Sequence, residues 1–473
     1  MNPRSMSTTT AAEIALPPVN RDMKVLDRSF FKRKVDTSAL TIFNPKDIQK
    51  VKAKVTSSRD LLSATTIKPV IDDETTPGAR CILLKPHINA SDRSTWKDEW
   101  SDIINDGTAK VRPYELTLTY DDWTMSDILD AILPEIPDGE EQNPAGFAQV
   151  GHVAHVNLRE QFLPYKHLVG QVLIDKNATV KTVINKLQDV GTESVFRTFP
   201  YEVLAGPDDV NVTVRHAGCE FKFNFGEVYW NTRNGHEHER LISTFQPGQA
   251  VCDVMAGVGP FAVPTGKKGT WVWANDLNPA CYEALDSAIR ANKVSHFVRP
   301  FNLDGREFIK TATKQLLQKQ RIFENRRKVN LFRNATASER KHAEEYIKAT
   351  STKMVEPPTF DHFVMNLPAS AIEFLPAFRG IYYGHEHHFY AFGRKLPMVH
   401  VYTFQARRDN EEEEQVELRQ RLSHHLGYEL SVTKNEVELH RARLVAPNKL
   451  FYCASFRLPA AVAFALPGGS VSG

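Results

Sequence analysis

The chain has 473 residues, 41% of them hydrophobic and 25% charged, and 59 Lys and Arg against 57 Asp and Glu leave a formal charge of +2. That length exceeds one compact core, so two or three domains are expected, and the near balance of charge means that any nucleic-acid surface must come from local clustering. No apolar run approaches a bilayer span, and the five cysteines, Cys81, Cys219, Cys252, Cys281 and Cys453, form no C-x-x-C pair, which points to a reducing compartment and away from a zinc site.

Residues 1–37 are rich in Ser, Thr and Ala at first and basic later, at Arg21, Lys24, Arg28, Lys32, Arg33 and Lys34, without the apolar core of a secretory signal; a flexible tail is expected. Glu13, Asp22 and Asp27 speak against a mitochondrial presequence, although Met6 and Met23 offer alternative starts. Residues 38–138 read as a small N-terminal module, with an amphipathic stretch at 42–54, a strand at 80–84 and a helix at 123–133 stopped by Pro134. An acidic, turn-forming linker at 137–144 closes it. A second module, 148–213, is predicted to hold a strand at 152–157, a helix followed by a strand within 163–175, and a short helix at 182–188. Strand-like alternation over 214–225 then leads into Val228-Tyr-Trp-Asn-Thr-Arg-Asn-Gly-His-Glu-His-Glu-Arg-Leu241, which sets Arg233 and Glu237 four apart. His236 and His238 flank Glu237, but alternate residues splay on a strand and do not converge on a helix, so no metal is expected.

The strongest chemical signal follows. Val251-Cys-Asp-Val-Met-Ala-Gly-Val-Gly-Pro-Phe261 is an apolar run ending in Asp253 with Gly257 and Gly259 two apart, and Trp271-Val-Trp-Ala-Asn-Asp276 is a second run ending in a carboxylate. Strand, glycine turn, helix, strand and acid make a nucleoside-binding βαβ unit, in which the second acid accepts from ribose hydroxyls. A dinucleotide site wants a third glycine where Ala262 stands, so pyrophosphate binding is disfavoured. A third strand ends at Asn302-Leu-Asp-Gly305, with Asp304 placed to meet an adenine edge, a fourth ends in Asn366-Leu-Pro368, and 397–404 reads as a fifth. A closing hairpin is predicted from 428–438 and 449–458, a disordered end over 464–473, and a long, basic, helical insertion over 310–353 with Lys314, Arg321, Arg326, Arg327, Lys328, Arg333, Arg340 and Lys341. That insertion reads equally as a solvated charged helix pair or as an RNA-contacting arm.

The order of acid, Gly-x-Gly, acid, acid and Asn-Leu-Pro resembles S-adenosylmethionine-dependent methyltransferases of the Rossmann-like class. Within it, Asp253–Phe261 closely resembles the D-x-x-A-G-V-G-P-F motif of the eukaryotic and archaeal tRNA (guanine-N1) methyltransferases that act at position 37. Gly151–Glu160 and Phe196-Arg-Thr-Phe199 resemble that family's middle domain, and Tyr229–Arg240 its aromatic, Arg and Glu element, with Asn231-Thr232 where members more often carry a proline before the arginine. The resemblance spans 148–458 and implies an α/β architecture: a Rossmann-like class I catalytic domain at 214–463, a middle α/β RNA-binding domain and a small N-terminal tRNA-recognition domain. It implies S-adenosylmethionine held by Asp253, Ala256, Gly257, Val258, Gly259, Asp276, Leu277, Asp304, Gly305 and Asn366. It also implies 1-methylguanosine formation beside the anticodon, which supports reading-frame maintenance and begins wybutosine synthesis. In that reaction Glu237 is the base, Arg197 stabilises O6, Asn366 holds the base edge, and Arg233, Pro368 and Tyr229 contact substrate. No metal is implied. The expected partner is tRNA, through its anticodon arm and elbow, with no membrane, and the expected form is a cytoplasmic monomer with nuclear and mitochondrial pools. Two alternatives stay open: an aminocarboxypropyl transferase of wybutosine synthesis, and an RNA-binding protein without catalysis.

Overall fold

The computed structural model describes residues 16–62, 67–73, 75–135, 144–187, 196, 198–325, 340–341, 352–391 and 393–466. They fall into two compact units, the first comprising 1–187 and 201–209 and the second 188–200 and 210–473.

The first unit is built on two antiparallel-rich sheets. Strand β1 (Arg33–Ile42) is central in its sheet, flanked by β3 (Arg80–Leu83) and β4 (Ala109–Leu118), with β2 (Val70–Asp72) outside β3. Being central, its second half Thr37–Ile42 is buried on both faces and loses the in-out alternation of a surface strand. Helix α1 (Ile48–Ser57) covers this sheet. Helix α2 (Met125–Ile132) starts at a capping box, in which Thr124 Oγ1 accepts from the Asp127 amide and Asp127 Oδ2 from the Thr124 amide, and it stops before Pro134. The second sheet runs β5 (Ala148–Val150), β6 (Val153–Val156), β7 (Thr182–Lys186), β8 (Tyr201–Ala205), with β6 and β7 parallel and joined through α3 (Lys166–Lys176).

Several expectations are corrected here. Residues 163–175 hold no strand; a 3-10 turn passes directly into α3. Residues 182–186 are a strand, not a helix, because Thr182, Val183 and Ile184 are β-branched and wholly buried beside β6, a setting in which stiff χ1 rotamers favour a pleat. The tail does not extend to 37: Met23 and Phe31 are buried, and β1 begins at Arg33. The N-terminal and middle modules also share one apolar cluster that runs from Met23 and Phe31 through Leu129 and Ile132 to Val169, Val183 and Leu204. The linker at 137–144 lies outside the described residues except for Pro144.

The second unit opens with a hairpin, β9 (Asn211–His216) and β10 (Cys219–Asn224), then α4 (Gly235–Thr244). Alternating strands and helices follow: β11 (Ala250–Asp253), α5 (Ala262–Lys267), β12 (Trp271–Asn275), α6 (Pro279–Ala291), β13 (Val298–Phe301) and α7 (Gly305–Gln318). A short antiparallel pair, β14 (Ile322–Asn325) and β15 (Thr352–Val355), precedes β16 (His362–Met365), β17 (Met398–Ala406), α8 (Glu411–Leu426), β18 (Glu438–Ala446) and β19 (Lys449–Arg457). The main sheet has the order β13-β12-β11-β16-β17-β19-β18, parallel through β17, with β19 reversed between β17 and β18. Its central strands are buried on both faces, as a doubly wound sheet requires.

Three further differences concern this unit. The predicted basic insertion begins with α7, a helix of the sheet itself, and its described ends are the β14/β15 pair; 326–339 and 342–351 lie outside the described residues. The first strand of the closing hairpin is β18 at Glu438–Ala446, ten residues later than its predicted start at Tyr428. Phe464 packs against Phe389 and Tyr390, so the ordered chain passes 463, while 467–473 lie outside the described residues. Among the described residues no helix is long and apolar enough to cross a membrane.

Glu356, 1% exposed just after β15, ties the short pair to the sheet by accepting from Trp273 Nε1 at 2.7 Å, from the Arg321 amide at 2.9 Å and from the Arg321 guanidinium at 2.6 Å. Glu356→Ala leaves a desolvated guanidinium and an indole N–H unpaired and is expected to cost ~3 kcal/mol. Urea unfolding followed by tryptophan fluorescence measures this, and a loss below ~1 kcal/mol would remove Glu356 from its anchoring role.

Candidate active site

The carboxyl ends of β11, β12 and α7's leading loop converge on one cleft. After Asp253 the chain turns through Gly257 and Gly259, both at positive φ (56° and 94°), where a side chain would be strained. A Cβ on Gly259 would lie 2.6 Å from Leu285 Cδ1, so helix α6 also demands glycine there. The turn is held by Asp276, whose Oδ2 accepts from the Gly257 amide at 2.8 Å and whose Oδ1 accepts from the Asn278 amide at 2.9 Å. Burial raises the Asp276 pKa above the ordinary carboxylate range, opposed by those two amide bonds.

Around it lies an open cleft of about 710 Å³ lined by Phe196, Tyr229, Met255, Gly257, Asp276, Leu277, Asp304, Gly305, Asn366 and Phe374, among others. Apolar Phe196, Leu277 and Phe374 line it together with the carboxylates of Asp276 and Asp304. Asp304 also caps α7 by accepting from the Arg306 amide, and Gly305 is crowded by Phe374, which a Cβ would meet at 2.9 Å. Asp253 does not line this cleft. It is 0% exposed with both oxygens unpartnered, and burial followed by the charge of Asp276 pushes its pKa well above the usual range.

A second cleft of about 430 Å³ shares Tyr229, Met255, Gly257 and Asn366 with the first and adds Trp230, Asn234, His238, Ala256, Val258, Pro260 and Phe261. Asn366 Oδ1 is buried without a partner, as are Trp230 Nε1 and both ring nitrogens of His238. Burial pushes the His238 pKa down to about 3, so the ring is neutral, packed 4.5 Å from Phe261. Polar atoms so placed at a cavity call for a polar occupant.

Glu237, in the first turn of α4 and 8% exposed, lines neither cleft. Its Oε1 accepts from Arg240 Nη2 at 2.7 Å and from the Tyr402 hydroxyl at 2.8 Å, and its Oε2 accepts from Arg240 Nε at 2.8 Å and faces His440 Nε2 at 3.2 Å. The bond to Glu237 raises the Arg240 pKa, so the guanidinium stays charged. Leu277 lines the first cleft and Ala256 and Val258 the second; Gly259, Pro368 and Arg233 line neither. Arg233 lies next to Asn234, and Arg197 lies outside the described residues. Among the described residues no cluster of three or more possible ligands could hold a metal. Sequence reasoning missed Tyr402, His440 and His238. The signal for the first was present in β17, where His400 and Tyr402 interrupt an apolar strand at a spacing of two.

A doubly wound sheet closed by a reversed hairpin, with carboxylates at the tips of neighbouring parallel strands and Asn-Leu-Pro at a third, defines a Rossmann-like class I methyltransferase. Residues 212–326 match the TRM5/TYW2 methyltransferase domain and 125–209 the TYW2 N-terminal domain. The chain is 46% identical over 480 residues to the tRNA (guanine(37)-N(1))-methyltransferase of Aspergillus fumigatus, covering 97% of this chain and 98% of that protein. It is 44% identical to the Schizosaccharomyces pombe protein of the same name, covering 94% and 96%. The chain therefore belongs to the tRNA (guanine(37)-N(1))-methyltransferase family. Its fold is shared with Trm5b from Pyrococcus abyssi (TM-score 0.53, 20% identity, 89% of this chain and 99% of that one).

Because the folded-state pKa of Asp253 is raised, its protonated carboxyl favours the fold below the ordinary carboxylate pKa, and that contribution is lost as pH rises from there through the raised value. Asp253→Asn cannot ionise. Its melting temperature, followed by scanning calorimetry from about pH 5 to about pH 8, is expected to fall less than that of the parent; parallel curves would mean that Asp253 has a satisfied charge.

Proposed function

We propose that the chain transfers a methyl group from S-adenosylmethionine to N1 of guanosine 37 in tRNA. The observation that carries this reading is the pair of joined clefts, one walled by Asp276, Leu277, Asp304 and Phe374 and the other reaching from Asn366 toward α4. Full-length identity to relatives of that name supports it over aminocarboxypropyl transfer. When bound, S-adenosylmethionine supplies an electrophilic methyl group.

In this reading Asp276 accepts from the ribose hydroxyls, Asp304 faces the adenine edge, and Phe374, Leu277 and Phe196 sandwich the ring. Ala256, Gly257 and Val258 bring backbone close to the rest of the ligand, while Asp253 and Gly259 act through the turn that they brace. The orphaned Asn366 Oδ1 accepts from the guanine edge, with Pro368 fixing the turn and Tyr229 standing at the junction of the clefts.

Guanine N1 attacks only as its proton leaves, and negative charge then spreads to O6. Glu237 takes that proton and Arg197 faces O6. A carboxylate has about four acceptor positions, and Arg240, Tyr402 and His440 occupy those of Glu237. One partner must therefore yield when the base enters. His440, the longest contact at 3.2 Å and 38% exposed, is the one with least to hold it. Extrusion of the nucleotide from its stack is implied. The chain acts as a monomer, the second unit taking the anticodon arm and the first a more distant part of the folded RNA.

Incubation with labelled S-adenosylmethionine and unmodified tRNA is expected to yield 1-methylguanosine, lost when position 37 is adenosine; an aminocarboxypropyl nucleoside would overturn the assignment. Glu237→Gln is expected to lower the single-turnover rate by ~10²–10⁴ while RNA affinity changes only severalfold. An unchanged rate across pH would remove Glu237 as the base.

A further inference from the structure

Strand β18 is the edge of the main sheet, and its pairing with β19 slips between Arg441 and Arg443: Cys453 faces His440, Tyr452 faces Arg441, and Phe451 faces Arg443. At this slip Ala442 is extra, and a second slip follows at Val445, between Leu444 and Ala446. In a regular strand Arg441 and Arg443 would share a face and His440 would point the other way. The bulge reverses this. Cys453 and Phe451 are two apart on β19 and share a face, so their partners His440 and Arg443 do too. That face is covered by α4: His440 reaches Glu237, and Arg443 Nε donates to Asn234 Oδ1 at 3.3 Å while its guanidinium lies over the Phe451 ring. Arg441 is left exposed on the opposite face, beside Tyr452, whose hydroxyl bonds Glu414 of α8.

Asn234, 5% exposed, lines the second cleft and is preceded by exposed Arg233. Two cations thus meet at the mouth of the cleft, and among the described residues neither has a carboxylate partner. Burial lowers the Arg443 pKa and Arg233 lowers it further, with Tyr229 opposing, as expected of like charges brought together without a counter-charge. A partly buried guanidinium held by a neutral amide and a ring, with donors left over, is built to receive an anion.

We propose that Arg443 and Arg233 form an anion clamp at the mouth of the second cleft and grip a backbone phosphate of the substrate RNA beside the nucleotide that enters. The proposal rests on the reading of RNA as substrate. A phosphodiester fits better than a small carboxylate because Arg233 is open to solvent and the cationic surface continues outward along the hairpin through exposed Lys449, which shares the Phe451 face of β19.

The test is binding of unmodified tRNA to the full chain across a salt series. Arg443→Met, which keeps the aliphatic stem on Phe451, is expected to weaken binding about tenfold near ~0.1 M salt and to reduce the slope of log K against log salt by ~0.7–0.9. The RNA KM rises, while the single-turnover rate at saturating RNA and the calorimetric affinity for S-adenosylmethionine stay within about threefold of the parent. Arg443→Lys restores most of the slope, and Arg441→Met, on the other face, changes none of these. An unaltered affinity and slope in a folded Arg443→Met protein overturns the proposal. So does a loss of cofactor affinity in place of RNA affinity, which would assign the pair to the cofactor's carboxylate. If the parent protein bound tRNA with this Arg443-dependent slope and yet made no 1-methylguanosine, the reaction would fall and the clamp would stand.

Discussion

The site depends on two carboxylates buried at the tips of adjacent parallel strands. Asp253 ends β11 and Asp276 follows β12, where burial raises the pKa of each and the charge of Asp276 adds to the cost of ionising Asp253. The protein resolves the conflict unequally. Asp276 receives two backbone amides, one of them from Gly257, so its charge is matched to the glycine turn. Asp253 receives no hydrogen-bond partner among the described residues. A buried group of this kind works against stability, and its retention fits a loop shaped for ligand rather than for the fold alone. Gly257 and Gly259 make the turn possible, and through it the positions of Ala256 and Val258 in one cleft and Met255 in both follow from the backbone alone.

A second constraint lies under α4. The sheet face there carries His362, His400, Tyr402 and Ser455 where an apolar layer would be simpler: His362 Nδ1 lies 3.0 Å from His400 Nε2, and His400 Nδ1 lies 2.7 Å from Ser455 Oγ. Burial lowers the pKa of both imidazoles, so the track is uncharged, and Phe245 packs over both rings. Neutral, mutually bonded groups are the form in which polarity can be buried at modest cost. The charge on this face is concentrated in Glu237 and Arg240, and the bidentate bond between them fixes the carboxylate's direction.

How much of this was legible in the chain follows from which signals are local. The glycine turn, the acids at strand tips and Asn366-Leu-Pro368 are sequential patterns, and their residues come together in the first cleft or beside it. The N-terminal boundary was not local. Nothing in residues 16–37 says that Met23 and Phe31 will find Val169 and Leu204 more than a hundred residues away. The strand at 182–186 was misread because a short β-branched apolar run has no period by which to tell buried strand from buried helix. The displaced start of β18 has a similar cause: Tyr428–Val437 is apolar enough to suggest pairing, but edge strands carry weak patterns, and a bulge shifts even the true alternation by one.

That shift also divides the electrostatics of the site. The first cleft is walled by the carboxylates Asp276 and Asp304, and among the described residues no cation lines it. Among the described residues the second has no carboxylate in its lining; it has neutral His238, uncharged Trp230 and Asn366, and arginines at its rim. A cationic sulfonium ligand and a polyanionic RNA need opposite fields, and a chain with a net charge of only +2 cannot provide both by excess of one sign. It provides them by placement. Glu237, the one acid that belongs near the RNA end, is kept out of the cleft lining and surrounded by Arg240, Tyr402 and His440, so its charge is neutralised locally until a substrate proton competes for it. The slip at Ala442 in β18 is what puts His440 and Arg443 on the same side as Glu237, so one backbone irregularity sets the acid's partner and the rim's cation together.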